Sequence, residues 1–234
     1  LSLTASSYAL FRCPSRPLAR SGERGFFEGM KYLKSDRLFR ITLISWMLLG
    51  FGNLMMMPLR IEFLAAPRYG LMLQAGSVAL LTTIIPNLMR LFLARFWGRL
   101  FDHANFFVIR ATLNLGFMLG ILSFFVGASW PWLVAGSVLF GAANAGGDVA
   151  WSLWVTKIAP PDKVADYMSV HTFLTGVRQL LAPLLGFGLA SRMGLPLIGA
   201  LAVSLMLVAS ALLVPEFRRG GLRRSGPSIP PAVQ

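Results

Sequence analysis

Acidic residues are scarce in this chain of 234: nine Asp and Glu stand against 22 Lys and Arg, and charged residues of either sign make up only 13%. A soluble domain carries about 25% charged residues, so an ordinary water-facing surface is excluded. Cysteine occurs once, as Cys13, which excludes a disulfide scaffold. Histidine occurs twice, and there is no H-E-x-x-H, Walker loop or Cys/His cluster. Metalloprotease, ATPase and zinc readings fall with those motifs, and neither a metal nor a cofactor is expected. What the chain has in abundance is apolar residue, 56% of the total, with a mean hydropathy of +0.66. Disorder over the bulk of the chain is excluded by that content.

A membrane-crossing helix needs about 20 mainly apolar residues, and six stretches qualify: 41–59, 70–94, 106–128, 132–156, 164–190 and 195–214. The second ends at Arg95. The fourth holds one charge, Asp148; the fifth holds one deep charge, Arg178; the sixth holds none. An all-α polytopic membrane protein of six spans is the fold class these runs predict, with the lipid bilayer as its first partner.

The positive charge lies mostly between the runs, so topology explains it before nucleic acid does, and no nucleic-acid partner is expected. With the N-terminus placed in the cytoplasm, eighteen Lys and Arg fall in cytoplasmic segments, among them Arg90, Arg95, Arg99 and Arg110. Only Arg60, Arg68 and Arg192 fall outside. That asymmetry predicts both termini in the cytoplasm, in a bacterial inner membrane or a plasma membrane. No cleavable signal pattern precedes the first run.

Three regions follow. Residues 1–37 read as a basic cytoplasmic linker with a short interfacial helix, in which Phe26, Phe27, Met30 and Leu33 share a face and Lys31 and Lys34 lie off it. Residues 38–216 form the six-helix bundle. Residues 217–234 are rich in Pro and Gly and read as a disordered cytoplasmic tail.

After the second run comes GRLFDH, which spaces Gly98, Leu100 and Asp102 as G-x-L-x-D. A tight turn between helices needs a small residue where backbones approach, and a carboxylate suits a nearby helix N-terminus. The stretch resembles the loop after the second helix of each half in the major facilitator superfamily of transporters, commonly G-x-L-[AG]-D-[RK]-x-G-[RK]-[RK]. His103 stands where that family usually has a basic residue. The fifth run, LLAPLLGFGLA, resembles the Gly/Pro-rich fifth helix of a facilitator half: Pro183 and Gly186 are expected to kink it or to admit a close neighbour. The resemblance covers residues 26–218. It implies the second, C-terminal six-helix half of a permease, a missing N-terminal half as partner, and transport of a small solute by alternating access, with or without protons.

Charges deep in a span are costly and face a cavity or a partner. Asp148 lies about 13 Å and Arg178 about 18 Å from the same membrane face at 1.5 Å per residue, so a pair between these antiparallel helices is geometrically possible. Two roles fit: a buried pair that fixes two helices, or Arg178 directed at an anionic solute group with Asp148 as proton carrier or partner. Asn144 lies one turn from Asp148. Asn53, in GFGNLMMMP, marks an expected break in the first span, where transporters expose binding backbone. Asn87 and Asn114 read as interhelical hydrogen-bonding groups, and His171 as a packing or solvated residue. In the fourth span Gly141 with Ala145, and Ala143 with Gly147, make two small-residue ridges suited to close helix contact.

A rhomboid-type serine protease is excluded, because Ser129 and His171 fall at opposite faces and no G-x-S-G is present. No enzyme reading survives. A six-span scaffold or self-associating membrane protein remains the alternative to a transporter.

Overall fold

The computed structural model describes residues 28–218 together with residues 8, 11 and 12. Among the described residues the protein is all-helical, with six helices long and apolar enough to cross a membrane. They are α1 (Arg37–Ala65), α2 (Ala75–His103), α3 (Phe106–Val126), α4 (Trp130–Ile158), α5 (Val164–Ala190) and α6 (Leu195–Ala211). The starts follow local chemistry. Asp36 caps α1, its carboxylate accepting from the Phe39 amide at 3.0 Å, and Asn105 caps α3 by accepting from the Phe107 amide at 2.9 Å. Pro131 and Pro196 open α4 and α6, where a missing N–H costs nothing.

Three helices, α1, α2 and α4, overrun the apolar stretches at one or both ends. α1 begins at Arg37 and ends at Ala65, and α2 runs nine residues past Ala94, to His103. The break expected at Asn53 is not there: α1 is continuous, with Pro58 inside it. Its glycines serve packing instead, since a Cβ on Gly52 would lie 2.8 Å from the Ala202 carbonyl oxygen of α6. α2 carries the one irregular turn, a π-helical segment at Leu80–Ile84 in which the Ile85 amide bonds to the Leu80 carbonyl. Pro86 follows directly; its ring has no N–H and crowds the carbonyl four residues back, which a widened turn relieves.

Of the basic linker, Phe26 and Phe27 lie outside the described residues, as does 219–234 of the tail. A 3-10 turn, Glu28–Met30, leads into a short helix, Lys31–Ser35, and this leader is docked on the bundle. Tyr32 is buried and stacks on Tyr167 of α5, ring centroids 4.5 Å apart, and the Tyr167 hydroxyl donates to Asp36 at 3.0 Å.

The spans order themselves by their principal neighbours as α2, α4, α3, α6, α1, α5. α2 packs chiefly on α4 and α5 chiefly on α1, so the two stand at the ends of an open arc. Exchanging α1–α3 with α4–α6, helix for helix, maps every principal contact onto another: α1–α5 onto α4–α2, α1–α6 onto α4–α3, and α3–α6 onto itself. α1 and α4 run in opposite directions, so the relation is an inverted repeat of three helices. The two arc ends are also the least buried spans, with 11% of the apolar window of α2 and 17% of that of α5 covered, against 50% or more for α1, α3 and α4.

Candidate functional site

A cavity of about 320 Å³ opens inside the arc, walled by α1, α3, α4 and α5. Asn53, Asn144, Asp148 and Arg178, the four polar residues singled out in the spans, all line it. Trp46, Phe117 and Trp151 supply aromatic walls, and Thr175 and Gln179 add polar ones. Residue counts put Asn53 about 18 Å from the end of α1, Asp148 about 15 Å from the end of α4 and Arg178 about 21 Å from the start of α5. The site therefore sits near mid-span.

The cavity brings Asp148 and Arg178 together without pairing them, so the expected bridge between them is corrected. Asp148 pairs with Arg90 of α2, whose Nη2 and Nε donate to one carboxylate oxygen at 2.6 and 2.9 Å. Arg90 also donates to the Asn87 side-chain carbonyl at 3.2 Å. This pair is 45% and 54% exposed at its two side chains. Arg178 turns the other way, its Nη1 donating to the Trp46 backbone carbonyl of α1 at 2.7 Å. A side chain on Gly50 would run into that guanidinium. Among the described residues no carboxylate lies within salt-bridge distance of Arg178.

Three further arginines were not recognised as interior from the sequence. Arg90 was counted with a cytoplasmic flank, yet it lies thirteen residues before the end of α2. Arg110, counted likewise, is fully buried, stands over the Trp46 ring at 3.6 Å and donates to the Ser45 hydroxyl at 3.3 Å. Arg60, placed outside, is 4% exposed and lies over the Phe140 ring at 3.5 Å. For Arg60 and Arg90 helix length is the reason, since α1 and α2 run to 29 residues each and so carry these arginines inside the helix ends. Among the described residues the spans thus hold four arginines, and Asp148 pairs with one of them, Arg90, which leaves the helix bundle with an excess of positive charge.

The remaining sequence candidates sit elsewhere. Gly98, Leu100 and Asp102 belong to the last turns of α2 rather than to a loop, and a Cβ on Gly98 would meet nothing within 4 Å. Asp102 is exposed and caps nothing; Asn105 takes that role for α3. Helix α5 runs through Pro183, and Gly186 abuts the Met55 backbone of α1, where a Cβ would come 2.7 Å from the carbonyl oxygen. In α4, Gly141 stands in the same relation to α2, 2.6 Å from the Pro86 Cα. His171 is fully buried among Trp46, Trp151 and Trp154, its Nδ1 accepting from the Trp154 indole at 3.3 Å. No protein-family model matches the chain, and no curated protein matches it either.

Proposed function

We propose that the protein is one six-helix half of a facilitator-type secondary transporter and carries a small organic anion by alternating access. The observation that carries the reading is the half-exposed ion pair of Arg90 and Asp148 at mid-span, whose carboxylate lines the open cavity. Lipid against such a face costs several kcal/mol per charge, so a second bundle has to cover it. The lightly buried helices α2 and α5 frame that face. Supporting the reading further is the inverted three-helix repeat, an architecture on which alternating-access carriers rock around a midplane site. The anion follows from arithmetic of charge: the arginine of α2 has a carboxylate, its counterpart on α5 has only a backbone carbonyl, and a solute carboxylate supplies what is missing.

Both termini face the cytoplasm in this reading; moving Arg60, Arg90 and Arg110 from the flanks into the spans leaves the bias in the same direction. The cover this reading calls for is a matching six-helix half. Coding DNA upstream of the Leu1 codon that encodes six more spans supplies it, and a dimer by native mass spectrometry assigns the cover to a second copy instead.

Transport itself is tested in proteoliposomes that hold this half assembled with its covering bundle, with a panel of labelled small organic anions. Saturable uptake is expected, weakened about ten- to a hundredfold by Arg178→Met, the range for losing a charge-assisted contact. Unchanged uptake removes Arg178 from the site, and absence of uptake for every anion rejects the transporter reading in favour of a scaffold.

A further inference from the structure

A second cavity, of about 210 Å³, lies between α1, α2 and α4 on the side toward the α1–α2 loop. Arg60, Phe140, Pro86, Thr82, Thr83 and Met57 line it. Arg60 is the unusual member: 4% exposed, its Nε buried without a hydrogen-bond partner, and no carboxylate within salt-bridge distance among the described residues. Its one hydrogen bond is long, 3.5 Å from Nη2 to the Asn53 side-chain carbonyl. Rings stand in for an acid, with Phe140 at 3.5 Å and Phe124 at 5.6 Å from the guanidinium carbon. A cation–π contact recovers only part of the cost of burying a charge. Arg110 is buried in a similar way but lines neither of these two cavities.

We propose that Arg60 and this cavity form a second anion-binding station, taking a small monocarboxylate with an apolar body. With its carbon 3.5 Å from the Phe140 centroid, the guanidinium has one face taken by the ring and its N–H groups left for an acceptor, and a planar two-oxygen group suits them. The rest of the lining, Met57, Pro86 and the apolar turns of α2, suits a hydrocarbon body rather than a hydrated ion. Thr83, an exposed residue of the π-helical turn that lines the cavity, adds a hydroxyl, and such irregular turns recur at functional sites. The two cavities share Met57, and Asn53 links them by lining the central one while accepting from Arg60. Arg60 lies about 8 Å from the end of α1 and Asn53 about 18 Å, so the station is the outer of two stops along one path. Its place on a path rests on the transport reading; the site itself does not.

Benzoate is the probe, titrated by calorimetry into the purified protein in nanodiscs. Two benzoates per chain are expected. Arg60→Met and Thr83→Trp should each lose one and keep the other, the second substitution filling the cavity while leaving the guanidinium in place. Arg178→Met should lose the other. Retention of both benzoates by Thr83→Trp and by Arg60→Met overturns the station, and Thr83→Trp decides alone if Arg60→Met fails to fold. A single benzoate lost only in Arg178→Met, or no benzoate at all, also overturns it. A single benzoate lost in Arg60→Met and Thr83→Trp but kept in Arg178→Met upholds the station and defeats the central anion site.

Discussion

The two three-helix halves share one plan of contacts and part company at their central arginines. In α2, Arg90 lies fifteen residues after Ala75; in α5, Arg178 lies fourteen after Val164. Each reaches across to its principal neighbour. Arg90 finds Asp148 on α4, and Arg178 finds a main-chain carbonyl on α1. The same asymmetry does not extend to packing, because each of these two contacts has a glycine set against the partner's backbone, Gly141 of α4 on α2 and Gly186 of α5 on α1. Scaffold and charge are therefore separable: the repeat fixes where the helices lie, and a single acidic residue decides which of the two arginines is left without a carboxylate.

The largest break in the comparison comes from its shared element. Gly141→Leu drives a side chain into the Pro86 backbone, which cannot step aside, and should cost about 3 kcal/mol. Thermal unfolding in detergent should then begin about 6–12 °C lower, while Gly188→Leu, where nothing lies within 4 Å, stays within about 0.5 kcal/mol. Equal shifts for the two would discard the close-contact argument. Next, Gly50→Asp places a carboxylate against Arg178 and makes the halves electrostatically alike; anion uptake should fall about a hundredfold, as far as deleting the guanidinium would take it. Uptake that survives would mean Arg178 is not the group that meets the anion. Asp148→Asn makes them alike in the opposite sense. Acceleration of uptake by an inward proton gradient should drop about tenfold or more, the scale of removing a positioned proton carrier, with expression unchanged. A preserved pH dependence takes Asp148 out of coupling. The smallest effect is Tyr167→Phe, which removes the hydroxyl donor to Asp36 and should cost about 1 kcal/mol, read as a Tm lower by about 2–4 °C.

The spans were legible because apolar length is a sufficient signal in a bilayer; Val164–Ala190 matches its apolar stretch at both ends. Which spans would be inside and which at the rim was not legible. α2 and α3 have nearly equal mean hydropathy, 1.6 and 1.7, yet very different burial, because lipid and protein interior select the same side chains. The four cavity residues were found because an unpaired polar group in a span is rare and needs a destination. Their pairing was missed for one reason: Arg90 was assigned to a flank, which left Asp148 with Arg178 as its only visible partner. Arg60 and Arg110 escaped in the same way, since the rule that counts flanking charge treats any arginine near the end of an apolar run as a topology marker. Asn53 in a glycine-rich stretch suggested a broken helix, whereas Gly50 and Gly52 make room for Arg178 and for α6.

The wide turn at Leu80–Ile84 acts as a phase setter for everything beyond it in α2. A π turn holds one residue more than the α turn it replaces, and one residue is about 100° of helix rotation. Arg90 lies six residues past that turn, so the extra residue decides which way its guanidinium points. Closed to ordinary α geometry, the same sequence would swing Arg90 about a quarter-turn off Asp148, leaving the carboxylate bare and aiming a fixed positive charge out of the arc. The ion pair that distinguishes one half from the other is, in this sense, written in the backbone two turns away.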